Sequence, residues 1–110
     1  MTKRWSQTQH LAAAWFRAHG FPHAEAVGNG RPGVDVTGTP GLAPEVKATQ
    51  GLKPGALRQA ANGRQGLPFV IYRPPGSGAA NVADWPVVVR LEDFTALVRG
   101  AGYGDPADPA

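Results

Sequence analysis

The sequence predicts one α/β domain in which helices pack on a single sheet. Three observations carry that reading. Apolar residues recur at helical spacing near both ends, as Leu11, Trp15 and Ala18 and as Phe94, Leu97 and Val98. Between them lie several runs of strand length. Gly and Pro are abundant (15 and 11 of 110 residues), so those runs are short and punctuated by turns. A chain of this size buries a modest core, enough for one sheet and two or three helices. Residues 1–103 are expected to form the domain and residues 104–110 a flexible tail.

Ser6 to His19 reads as the first helix, capped by Ser6 or Thr8 and stopped by Gly20. Its stripe of Leu11, Trp15 and Ala18, with Ala12 and Phe16 alongside, should cover one face of the sheet. His10 and His19 are expected at the surface. Phe21 to Val27 reads as a strand on which His23 and Glu25 share a face. The turn-rich segment Gly28-Asn29-Gly30-Arg31-Pro32-Gly33 follows. Arg31 there is placed either to reach a phosphate or simply to be hydrated.

Gly33–Thr37 and Ala43–Thr49 read as two strands around Thr39-Pro40-Gly41-Leu42. Pro at i+1 and Gly at i+2 are the chemistry of a type II turn. Alternation puts Glu45 and Lys47 on one face, with Val46 and Ala48 on the other. A symmetric hairpin would set Asp35 directly across from Glu45, with Val34, Val36, Val46 and Ala48 behind them. A one-residue slip would undo that cluster. Two carboxylates so close repel unless a positive charge lies between them. Mg²⁺ meets that need, since it binds one or two carboxylates together with water and phosphate oxygens. The plain alternative is a solvated Glu-Lys pair on an open sheet face.

A second helix is expected over about Pro54 to Asn62, stopped by Gly63, with Leu57, Ala60 and Ala61 inward. Lys53, Arg58 and Arg64 around it suit phosphate contacts that position a backbone without reading bases. Leu67 to Tyr72 is a near-continuous apolar run, suited to a strand buried on both faces. The stretch from Arg73 to Asp84 reads as a loop, and Trp85 to Leu91 as an edge strand with Pro86 near its start. Glu92 to Ala101 reads as a last amphipathic helix with Phe94, Leu97 and Val98 inward. Its acids Glu92 and Asp93 sit in the first turn, where the helix dipole favours them. The predicted order is α-β-β-β-α-β-β-α.

Asp35, Glu45 and Lys47 resemble the D…(E/D)xK signature of the PD-(D/E)XK nuclease superfamily. With Phe21-Pro22-His23-Ala24-Glu25, Gly33-Val34-Asp35-Val36 and Pro44-Glu45-Val46-Lys47, the chain looks most like the small Holliday-junction-resolvase-like nucleases of actinobacteria and their phages. The resemblance spans roughly Thr8 to Tyr103. It implies a restriction-endonuclease-like αβββαβ core, with a mixed central sheet flanked by helices and an extra C-terminal strand and helix. It implies a Mg²⁺-dependent endonuclease of DNA recombination acting on branched DNA, with Mn²⁺ able to substitute. Asp35 and Glu45 would hold the metal, and Lys47 would position the attacking water. Gln59 matches a glutamine that some members place near the scissile phosphate. The resemblance also implies a homodimer, with the last strand and helix as a candidate surface. Many of these nucleases complete the metal site with a Glu on the first helix, and this helix has no acid. Gln9 and His10 lie near that position. Either a neutral group replaces the acid, or Glu25 supplies the carboxylate.

The distribution of charge agrees with a phosphate-bearing partner. Met1 to Arg64 carries eight lysines and arginines against three acids, whereas the remainder carries three against five. The chain has no cysteine, which excludes disulfides and thiolate metal sites and fits a cytoplasmic protein. No apolar run is long enough to span a membrane, and the N-terminus lacks an apolar signal core. Nucleophile-elbow, P-loop and zinc-ligand spacings are missing. The competing expectation is a weakly active or inactive module on the same fold that binds nucleic acid or another protein.

Overall fold

The computed structural model describes residues 4–28, 34–53, 55–61 and 65–105. Its elements are α1 (Arg4–Ala18), β1 (Glu25–Ala26), β2 (Val36–Thr37), β3 (Leu42–Lys47), α2 (Ala56–Ala61), β4 (Leu67–Tyr72), β5 (Val87–Val89) and α3 (Leu91–Gly100). A 3-10 helix, Ala79–Asp84, lies between β4 and β5. The order of helices and strands is the one expected, and the architecture is mixed α/β. Among the described residues no helix is long and apolar enough to cross a membrane.

The main sheet has three strands in the order β3-β4-β5. β3 and β4 run parallel, with Glu45 opposite Val70 and Lys47 opposite Tyr72. A parallel pair needs a long crossover, and α2 lies within it. β5 returns antiparallel on the far side of β4, pairing Val70 with Val88. β4 is thus the central strand, and Pro68, Phe69, Val70 and Ile71 are all buried. Pro68 is tolerated there because β5 pairs only with Phe69, Val70 and Ile71.

Alternation along the strands divides the core in two. On one face Val46, Phe69 and Ile71 pack with Ala12 and Ala13 of α1, together with Ala24, Val36 and Trp85. On the other face Val70 packs with Ala56 and Ala60 of α2, flanked by Leu57 and Val88. Alanines at both contacts let the helices approach the sheet closely. α1 meets the core through Ala12 with Leu11 and Phe16 packed alongside, as expected, but through Thr8, Gln9 and Ala13 where Trp15 and Ala18 were expected. Thr8, Gln9, Ala12 and Ala13 are its buried residues. Ala18 and Trp15 are exposed, and Trp15 stacks on His19 with ring centroids 3.9 Å apart. Gly20 ends the helix as expected, at φ +101°, with the Phe21 N–H donating to the Phe16 carbonyl at 3.0 Å.

Two further expectations are corrected. The segments around Pro40 do not form a regular two-stranded ladder, because β2 pairs antiparallel with β1 instead. The turn itself is as expected. The Leu42 N–H donates to the Thr39 carbonyl at 3.0 Å, and Gly41 has φ +81°. Gly38, at φ +77°, lies so close to the His23 carbonyl that a Cβ there would overlap it.

The apolar face of α3 is the second correction. Leu91, Phe94 and Leu97 are 79%, 50% and 51% exposed, and Val98 is half-buried. α1 and α2 already cover the two faces of the sheet, and α3 follows directly on its edge strand. At its start Arg90 Nε donates to Asp93 Oδ2 at 2.7 Å, with Glu92 Oε1 3.6 Å from Arg90 Nη1. That hydrogen bond and the two carboxylate charges hold the guanidinium pKa above its ordinary value, against a smaller opposing effect of burial. The acids of this first turn are therefore paired locally, as befits a structural role.

Candidate metal and phosphate site

Asp35 joins the two sheets. Its carbonyl accepts from the Val27 N–H and its own N–H donates to the Pro44 carbonyl, both at 3.0 Å. Its Oδ2 accepts from the Val46 N–H at 2.7 Å. Amides alternate between the two edges of a strand, and those at 44 and 46 both point toward Asp35. Pro44 has no N–H, so Val46 offers the donor at that edge. The Asp35 carboxylate takes the place of a strand carbonyl. This replaces the face-to-face hairpin pairing expected from the sequence.

Glu45 and Lys47 share a face, as alternation requires. Lys47 Nζ lies 3.4 Å from Glu45 Oε1 and donates to Gln59 Oε1 of α2 at 3.0 Å. Glu45 is only 4% exposed, which makes it the most buried acid among the described residues and a poor match for a solvated surface pair. Asp35, Glu45 and Lys47 line one cavity of about 410 Å³, together with Arg4, Trp5 and Gln9 of α1 and Val46, Ala48 and Thr49 of β3 and its exit. The donors offered there are hard oxygens, two carboxylates and the Gln9 amide. That set suits Mg²⁺, whose remaining positions are commonly filled by water and phosphate oxygens.

The α1 end of this cavity is held by a buried arginine. Arg73 is 4% exposed. Its Nη1 donates to Gln7 Oε1 at 2.8 Å and to Thr8 Oγ1 at 3.1 Å, and its Nε donates to the Ser77 carbonyl at 3.0 Å. The guanidinium lies 5.4 Å from the Trp85 ring centroid. The Arg73 N–H donates to the Lys47 carbonyl at 2.8 Å. Arg73 thus ties β3 to the first turns of α1. Burial, and secondarily the charge of Arg4, push its pKa below the ordinary arginine value. Arg4 in turn donates to the carbonyls of Pro74 at 2.6 Å and Ser77 at 3.4 Å.

A second cavity, of about 430 Å³, lies toward α2 and is lined by Lys47, Thr49, Leu52, Lys53, Gly55, Ala56 and Gln59. The structure therefore brings together Asp35, Glu45, Lys47, Gln59 and Lys53. Glu25 is exposed on β1, opposite Thr37, and lines neither cavity. Among the described residues, no three His, Cys, Asp or Glu side chains are grouped so as to hold a metal ion. Arg58 is exposed on α2 outside both linings. Arg31 and Arg64 lie outside the described residues. Of the two helix residues named for the absent acid, Gln9 is buried in the cavity wall and His10 is exposed. Arg4 and Trp5 went unnoticed as site residues, since nothing in their spacing sets them apart.

Comparison with models of protein families, with curated proteins and with solved structures finds no match to this chain.

The Asp35 geometry separates two substitutions. Asp35→Ala leaves the Val46 N–H without its acceptor and is expected to lower stability by about 1–3 kcal/mol. Asp35→Asn keeps an oxygen in that position and should cost less than half as much. Chemical denaturation of both variants beside the wild type checks the difference.

Proposed function

We propose that this protein is a metal-dependent endonuclease of the PD-(D/E)XK type, hydrolysing a phosphodiester bond of DNA on a restriction-endonuclease-like core. The observation that carries the reading is the meeting of Asp35, Glu45 and Lys47, from two separate segments, in one cavity wall. The observed order of elements and the parallel β3–α2–β4 crossover support it as well.

Asp35 and Glu45 would hold Mg²⁺, or Mn²⁺ in its place. When bound, the cation supplies Lewis acidity toward a phosphate oxygen. The Lys47 ammonium, within reach of Glu45, donates to the attacking water or to the oxygen that gains negative charge. The water oxygen bonds to phosphorus and gives up a proton to surrounding solvent, the P–O ester bond breaks, and the departing oxygen takes up a proton from solvent. Gln59 accepts from Lys47 and so acts as a positioning residue, drawing the ammonium toward α2 and away from full pairing with Glu45. Lys53 and Arg58, with Arg31 and Arg64, are the backbone-phosphate contacts of the proposal. Branched DNA of the Holliday-junction kind is the substrate that the family resemblance favours, with action in recombination in the cytoplasm of a bacterium or a phage-infected cell.

One observation favours a second reading. Gln9 stands in the cavity wall where a third carboxylate would strengthen cation binding. A weaker cation site on the same fold would leave a nucleic-acid-binding module of little activity. An assay on a synthetic four-way junction and a matched linear duplex, with Mg²⁺, Mn²⁺ or EDTA, separates the two. The nuclease reading expects metal-dependent cutting that falls about 10²–10³-fold in Asp35→Asn and in Lys47→Ala, with DNA binding retained. Unchanged cutting by either variant would refute the assignment. Binding without any cutting would favour the module.

A second copy of the chain is the proposed protein partner, meeting across α3. The apolar face of that helix is uncovered. Its acids Glu92 and Asp93 lie in the first turn and Arg99 in the last. Two copies related by a two-fold axis would bury this face against its own equivalent, since such an interface joins the same patch on both subunits. Light scattering is expected to give a dimer mass for the wild type and a monomer mass for Leu97→Asp. A wild-type monomer at high micromolar concentration would overturn the pairing.

A further inference from the structure

The two cavities share Lys47 and Thr49, so Lys47 stands as the partition between them. Their chemistry differs. Both carboxylates, Asp35 and Glu45, belong to the first. Among the described residues, the lining of the second contains no acid. It offers two ammonium groups, Lys47 and Lys53, and the Gln59 amide, beside an exposed Leu52. The Gln59 oxygen accepts a hydrogen bond from Lys47, which turns the amide nitrogen, a donor, away from Lys47. Cationic donors beside an apolar wall suit an anion that carries an apolar body. The volume of about 430 Å³ falls at the lower end of the range of about 300–1,000 Å³ for small-molecule sites.

We infer that this second cavity is a subsite for one nucleotide unit adjoining the scissile phosphate. Its phosphate is held by Lys53 and Lys47, and its sugar or base lies against Leu52. The assignment rests on the nuclease reading for the position of the scissile phosphate. It deepens that reading by giving the substrate strand a path. The strand crosses Lys47, with the reacting phosphate on the carboxylate side and the neighbouring nucleotide on the α2 side. A lysine shared by both cavities touches two successive phosphates, and Lys53 touches only the second. Lys53 is then not one of many interchangeable surface cations but the recognition group of a defined pocket.

The same chemistry would also take a free mononucleotide, so the test includes both sources. The full-length ¹⁵N-labelled protein is titrated in EDTA with deoxythymidine 5′-monophosphate, with the trinucleotide of the same base and with inorganic phosphate. Saturable shifts are expected at Thr49, Leu52, Lys53, Gly55 and Gln59. The trinucleotide should bind more tightly than the mononucleotide, and phosphate alone most weakly. Lys53→Ala should weaken trinucleotide binding about tenfold, the effect of losing one charge-assisted contact. Leu52→Ser should weaken nucleotide binding and leave phosphate binding unchanged. Shifts that avoid this cavity, or unaltered affinity in both variants, would overturn the subsite. Mononucleotide binding as tight as the trinucleotide's would overturn its place on a strand. Cleavage is not read in EDTA, so a protein that shows these shifts yet cuts no DNA keeps the subsite and loses the nuclease reading.

Discussion

The bond from the Val46 N–H to the Asp35 carboxylate is the interaction on which the rest of the structure depends. It fastens the β1–β2 pair to the edge of the main sheet, where no regular ladder exists to do so. It also sets the register of Asp35 against β3, and so brings its carboxylate into the cavity that Glu45 lines. A charge-assisted bond of this kind is stronger than a neutral one. Using a side chain instead of a carbonyl has a consequence for chemistry. A carboxylate carries a negative charge and can accept more than one hydrogen bond, whereas a strand carbonyl in the same place would bring no charge.

The second constraint is Arg73. One backbone bond to Lys47 and three side-chain bonds reach from β4 to β3, to α1 and to the Ser77 carbonyl. A buried guanidinium carries a desolvation cost, and here it is offset by hydrogen bonds and by the face of Trp85. The result is that the first turns of α1 are held over the end of β3. That is why Arg4, Trp5 and Gln9 appear in the wall of a cavity whose chemistry belongs to β2 and β3. Arg4 and Lys47 are the two cations among the described residues of that wall.

Features governed by local rules were legible in the sequence. Strand alternation placed Glu45 and Lys47 on one face, and Pro40-Gly41 marked the turn. The apolar run from Leu67 to Tyr72 announced a strand buried on both sides. Gln59 was picked out as a polar residue of the second helix, and it does reach Lys47. Features that depend on long-range choice were not legible. Nothing in the pattern around Asp35 says that its side chain, and not its backbone ladder, would meet β3. Parallel pairing of β3 with β4 follows from the crossover and is invisible to periodicity. The inner stripe of α1 is built on Thr8, Ala12 and Ala13, while the bulkier Trp15 suggested a different face. Amphipathicity in α3 pointed Phe94, Leu97 and Val98 inward, and periodicity alone could not say that Phe94 and Leu97 stay exposed while Val98 is half-buried. Glu25 was a candidate third carboxylate by its place in the sequence, but it is exposed opposite Thr37 and is not among the residues lining the cavity.

The central claim is that Asp35 and Glu45 together form a divalent-cation site beside Lys47. It is tested most directly by titrating the protein with Mn²⁺ and following paramagnetic broadening of its amide signals, for the wild type and for Glu45→Gln. Saturable broadening centred on Asp35, Glu45, Val46 and Gln9 is expected in the wild type. Affinity should fall about tenfold or more in the variant, as when one charged ligand is removed from an ion held by two. Broadening that is centred elsewhere, or that is the same in both proteins, would contradict it.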